Sequence, residues 1–113
     1  MTGGITSHRD LKAWQKAFQF GLGVYDATKS FPADERFGLV SQLRRASVSV
    51  ASNIAEGYGR GSTSDYLRFL RMARGSLYEI YTQLWFALEL GVLDGNTHGR
   101  LPTEFDETGR ILG

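Results

Sequence analysis

The residue types best suited to chemistry fall in one stretch, Arg44-Arg45-Ala-Ser-Val-Ser-Val-Ala-Ser-Asn53-Ile-Ala-Glu56-Gly57. Helical spacing sets Ser49, Ser52, Asn53 and Glu56 on or beside one face. Hydroxyl, amide and carboxylate groups held together can bind a polar ligand or carry a proton. In a buried setting each must find a hydrogen-bond partner or cost a few kcal/mol. Arg45 and Arg60 nearby, and Glu79 from a facing helix, are the expected partners. Two readings follow: an internal polar network of Arg45, Asn53, Glu56 and Glu79 that fixes helix register, or a binding pocket in which catalysis is the smaller part. The network is the expectation adopted.

Arginine forms a second constellation. Residues 36–74 carry seven arginines against Glu56 and Asp65, a net of +5 with no lysine. Residues 75–113 carry Arg100 and Arg110 against six acids, a net of −4. Arg68, Arg71 and Arg74 sit one helical turn apart, with Tyr78, Tyr81 and Trp85 further along. Guanidinium groups beside aromatic faces suit phosphate pairing and base stacking, and the same mixture is enriched in protein–protein interfaces. The asymmetry thus reads either as an anion-binding face or as one subunit's basic face meeting a neighbour's acidic one.

Other chemistries find little purchase. His8 and His98 have no second ligand at metal spacing, so no metal site is expected. The chain has no cysteine, which removes disulfides and thiol nucleophiles and suits a reducing, cytoplasmic setting. Gly57-Tyr-Gly59-Arg60-Gly61 lacks the Gly-Lys-Ser/Thr ending of a phosphate-binding loop and follows a helix rather than a strand. It reads as a helix–helix turn. No Gly-x-Ser-x-Gly elbow occurs. No cofactor and no enzyme activity are expected.

These groups need scaffolding, and the scaffold reads as helical. A length of 113 residues with 42% hydrophobic and 22% charged side chains fits one globular domain over 1–113. The amino-terminal residues lack the apolar core of a signal peptide, and no apolar run approaches a membrane span. Helices are expected at about 10–30, 36–58, 63–91 and, short and interrupted by Gly99, Pro102 and Gly109, at 98–112. Leu11, Trp14, Phe18, Leu22 and Tyr25 make one apolar stripe on the first helix, and Ala13, Ala17, Phe20, Val24 and Ala27 make a second. Two stripes exceed what one core needs, so Phe20 and Val24, with Tyr81 and Trp85, are the expected oligomer contacts. Asp10 is the expected cap of the first helix. The second helix turns Phe37, Val40, Leu43, Val50 and Ile54 inward, and its small residues (Ser41, Ala46, Ser47, Ser49, Ala51, Ser52, Ala55) make it central. Ser62-Thr-Ser-Asp65 reads as a capping box. Tyr66, Leu70, Ala73, Leu77, Ile80, Leu84, Ala87 and Gly91 then follow an unbroken heptad. Long helices joined by short turns give an all-α, antiparallel up-down-up-down four-helix bundle.

Several blocks together carry a family likeness: Asp10-Leu11-Lys-Ala-Trp14-Gln15, Phe31-Pro32 with Glu35, Gln42-Leu43-Arg44-Arg45-Ala46, Ser52-Asn53-Ile54-Ala55-Glu56-Gly57 with Arg60, and Gly75-Ser76-Leu77 with Glu79. Over about residues 8–93 the chain resembles the bacterial four-helix bundle proteins encoded by intervening sequences in 23S rRNA genes. It is similar also to the accessory protein of diversity-generating retroelements. The resemblance implies a bundle assembled into a homopentameric ring without known enzyme activity, and, for the retroelement relative, nucleic-acid binding through a basic surface. The combined expectation is a non-catalytic homo-oligomer that binds RNA or other nucleic acid through Arg44, Arg45, Arg60, Arg68, Arg71 and Arg74. The alternative is an adaptor ring that docks a protein partner.

Overall fold

The computed structural model describes residues 7–93, and every regular element among them is a helix. Three α-helices carry the fold: α1 at Lys12–Thr28, α2 at Ser41–Gly59 and α3 at Thr63–Glu89. The expected fourth helix at 98–112 lies outside the described residues. Among those described, no helix is long and apolar enough to cross a membrane.

Short turns set the helix ends. Ser7 and Asp10 cap each other across the 3-10 turn His8–Asp10: the Ser7 hydroxyl accepts from the Arg9 amide, and the Asp10 carboxylate accepts from the Ser7 amide. Asp10 therefore serves the turn before α1 rather than α1 itself, whose N-cap position is Leu11. A π-helical turn at Arg36–Val40 leads into α2, with Gly38 in a non-helical conformation. This kink breaks the register ahead of α2. Phe37, expected inward, is consequently 89% exposed. At the other end of α2, Gly61 takes a positive φ of 82°, a conformation that favours glycine. The Ser62 hydroxyl then accepts from the Asp65 amide and opens α3, which is the N-cap half of the predicted capping box.

α2 is central and packs against both other helices. Gln42 pairs with Gln83, and Ser49 with Ser76. The partners step by one heptad on both helices (42 to 49, 76 to 83), as an antiparallel pair packed at a shallow angle requires. The core joins Leu43, Val50 and Ile54 of α2 to Ala73, Leu77, Ile80, Leu84 and Ala87 of α3. The predicted heptad holds from Ala73 to Ala87. At its start Phe69 is buried and Leu70 only half-buried, because Phe69 packs onto Gly57. A Cβ on Gly57 would lie 2.7 Å from the Phe69 Cβ, closer than side chains tolerate. Gly57→Ala is therefore expected to lower stability: overpacking costs about 1–3 kcal/mol, against a gain in helix propensity of about 1 kcal/mol. Gly75→Ala meets nothing within 4 Å and should gain about 0.5–1 kcal/mol. Urea denaturation of the two variants should shift in opposite directions.

The two stripes of α1 sit the other way round from the expectation. Ala13, Ala17, Phe20, Val24 and Ala27 are buried, and Phe20 and Val24 are at most 1% exposed. Both belong to this chain's own core, so neither offers a surface to a neighbour. The larger residues Phe18, Leu22 and Tyr25 face outward, 40–51% exposed. Packing explains the exchange. A Cβ at Gly21 would make ordinary van der Waals contact with Ser47 of α2, and the alanines of the buried stripe, Ala13, Ala17 and Ala27, leave room for Phe20 and Val24 to fill the space between the helices.

Candidate functional site

The polar residues of α2 meet α3 along one open groove lined by Ser49, Asn53, Met72, Gly75, Ser76 and Glu79. The Ser49 and Ser76 hydroxyls bond at 3.0 Å, and the Asn53 amide donates to the Ser49 carbonyl at 2.9 Å and to its hydroxyl at 3.0 Å. Ser49, Asn53 and Ser76 thus form a small network that ties the two helices in register. The larger predicted network does not form. Glu56 is exposed and pairs with Arg60 at 2.9 Å, one turn along its own helix. Arg45 and Glu79 are exposed and make no hydrogen bond or ion pair among the described residues. Open solvent accounts for this: exposed charges are hydrated and have no need of one another. Nothing in the groove pairs a nucleophile with a base. Among the described residues, no three His, Cys, Asp or Glu side chains gather to hold a metal.

The six predicted arginines divide into two groups. Arg44 is structural: its Nε donates to the Thr28 hydroxyl at 2.8 Å, a terminal nitrogen donates to the Tyr25 carbonyl at 3.3 Å, and the guanidinium lies 4.7 Å from the Tyr25 ring centre. A cation on the last carbonyls of α1 also meets the negative end of the helix dipole. Arg60 and Arg68 both lie over the Phe69 ring, at 5.1 and 4.6 Å. Each also has a carboxylate, Glu56 for Arg60 and Asp65 for Arg68 at 3.6 Å. These three are spoken for. Arg45, Arg71 and Arg74 are exposed, with no ion pair to any described residue. Arg71 and Arg74 are three residues apart and so neighbours on the surface of α3. Near the same end of the bundle, burial raises the Tyr66 phenol above its ordinary value.

The apolar surface is where the residue pattern was least informative. Of the predicted contacts, Tyr81 and Trp85 are exposed on α3 and meet edge to face at 6.1 Å. Between α1 and α2 runs a groove lined by Trp14, Phe18, Gly21, Leu22, Val48 and Ala51 among others. Trp14 and Phe18 stack there at 5.0 Å. Val48, 49% exposed among the serines and alanines of α2, was the signal that could have marked this groove.

Comparison with known proteins fits this architecture. A family model described as 23S rRNA-intervening sequence protein matches residues 9–113. No curated protein matches the chain. Among solved structures, a protein of unknown function from the S23 ribosomal protein family of Bacteroides thetaiotaomicron superposes with a TM-score of 0.80. It is 18% identical, and the match covers 88% of this chain and 90% of that one. At that identity the likeness concerns the fold.

Proposed function

The chain belongs to the family of 23S rRNA-intervening sequence proteins, and from that premise we propose that it is a non-catalytic, self-assembling bundle that holds nucleic-acid phosphates through Arg45, Arg71 and Arg74. The observation that carries the reading is the division among the arginines. Three are occupied within the chain, while these three are exposed with no ion pair to a carboxylate among the described residues. Arginines of this kind bind phosphate oxygens without reading base sequence. In this proposal residues 98–112 complete an antiparallel four-helix bundle, copies assemble as a homopentamer, and the site of action is the cytoplasm. No cofactor takes part.

The protein, purified at low salt, should carry nucleic acid that a high-salt wash releases, visible as a fall in the 260/280 nm absorbance ratio. Protein that emerges free of nucleic acid at low salt, and then shifts neither RNA nor DNA in a gel, would overturn this function. A second reading, a scaffold or adaptor ring that docks a protein partner, draws on the exposed apolar groove of α1 and α2. It predicts assembly without nucleic-acid affinity.

A further inference from the structure

One residue of α3 is unexplained by the chain's own packing. Gly75 stands in the interior of the helix at Thr63–Glu89, where glycine costs stability relative to alanine. A Cβ there would meet nothing within 4 Å, and its φ is not positive. Gly57, in contrast, is required by the contact with Phe69. A helical glycine that neither neighbours nor conformation demand leaves the backbone bare, as suits a site that a ligand approaches closely. The residues around it fit a ligand of one kind. Arg71, Tyr78 and Trp85 are seven residues apart and so form one row along α3, with two turns or about 10.5 Å between members. Arg74 and Tyr81 form a second row alongside. Each row starts on an exposed arginine with no ion pair among the described residues. Each continues on exposed rings, Tyr78 at 62%, Tyr81 at 42% and Trp85 at 43%. Ser76 meets Ser49 of α2, and Trp85 lies nine residues or two and a half turns further on, so the rows face away from α2. From Arg71 to Trp85 the sole carboxylate is Glu79, which lines the groove toward α2.

We propose that α3 binds a single strand of nucleic acid along these rows, with phosphates on Arg71 and Arg74, a nucleotide against the bare backbone of Gly75, and bases on the faces of Tyr78 and Trp85. The proposal rests on the phosphate-binding reading above and gives the ligand its strandedness and its path. Unpaired cations select a polyanion, and rings beside them select one whose base faces are open. In a duplex those faces are stacked on one another, so phosphates, sugars and base edges are what a protein can reach. An unpaired strand can splay its bases onto aromatic side chains. Stacking accepts any base, since each has a flat face, in keeping with arginines that read no sequence. Glu79 bounds the site on its α2 side, where a carboxylate repels the phosphates and keeps the strand on the outer face of α3.

Gly75 supplies a test that a structural role does not mimic. Gly75→Leu should unfold in urea no earlier than the wild type, because leucine is the better helix former and enters open space. Yet it should bind a fluorescent single-stranded oligonucleotide, RNA and DNA in turn, at least fivefold more weakly, about the loss of one stacked base. Gly75→Gln replaces it if circular dichroism shows the leucine variant unfolded. Tyr78→Ala and Trp85→Ala should each weaken the same binding by about 5- to 150-fold. Both should leave the slope of log affinity against log salt unchanged, since no phosphate contact is lost. The wild type should hold the single strand at least fivefold more tightly than the duplex of the same sequence at equal salt, again the effect of about one stacked base. A wild type that binds strand and duplex alike, or Gly75 and Tyr78 variants that bind the strand as the wild type does, would overturn the path and leave phosphate binding standing. A wild type that binds neither would overturn both.

Discussion

Phe20→Ala is expected to remove about 3–5 kcal/mol of unfolding free energy, the usual cost of truncating a buried aromatic. Phe18→Ala, two residues away, should cost less than about 1 kcal/mol, mostly the stacking with Trp14. The contrast is large because α1 turns its Phe20 stripe inward and its Phe18 stripe outward. Phe20 packs with Ala17 and Val24 among the core residues of α2 and α3, and its loss leaves a cavity that close-packed helices cannot fill by collapse. Urea denaturation at low chain concentration separates this effect from assembly, which would otherwise couple to unfolding. If Phe18→Ala were the costlier change, the orientation of α1 described above would be wrong.

The second large effect concerns nucleic acid and divides the arginines. An Arg45→Ala/Arg71→Ala/Arg74→Ala variant should keep its stability, since surface substitutions away from packed features stay within about 0.5 kcal/mol each. Its affinity for nucleic acid should fall steeply. Each neutralised phosphate contributes roughly 0.7–0.9 to the slope of log affinity against log salt, so three lost contacts flatten that slope by about two to three. Affinity near 0.1 M salt should drop on the order of a hundredfold. Arg44→Ala should behave oppositely. It removes two hydrogen bonds and a ring contact at the end of α1, at about 1–3 kcal/mol of stability, and leaves the salt slope unchanged. Equal binding losses for Arg44→Ala and the triple variant would show that the division has no functional meaning.

The helices were legible in the residues because their signals are local. Ser62 and Asp65 state a helix start, Gly61 states a stop, and Ala73 through Ala87 state a seam, each within a few residues. The facing of α1 was not legible. Hydrophobicity favours burying Trp14, Phe18 and Leu22, and only packing against α2 and α3 decides for the stripe of Ala17, Phe20 and Val24. The small residues of α2 hinted at close helix packing without saying which neighbour would use it. The polar site was legible in part. Ser49 and Asn53 of the predicted face do come together, joined by Ser76 of α3, which the spacing had not singled out, while Ser52 lies in the groove between α1 and α2. Whether Arg45 and Glu79 join them depends on solvent exposure, which residue spacing cannot give. The arginines show the same limit: Arg44 and Arg45 are adjacent in sequence, yet one reaches Thr28 across the helix pair and the other faces water.

The most direct test of the central claim is a titration of the wild-type protein, stripped of nucleic acid, against fluorescent RNA and DNA from low to moderate salt. The account predicts binding whose logarithm falls linearly with log salt, by roughly 0.7–0.9 for each phosphate contacted and at least three contacts per chain. Absence of binding at the lowest salt, or binding that salt does not weaken, would contradict it.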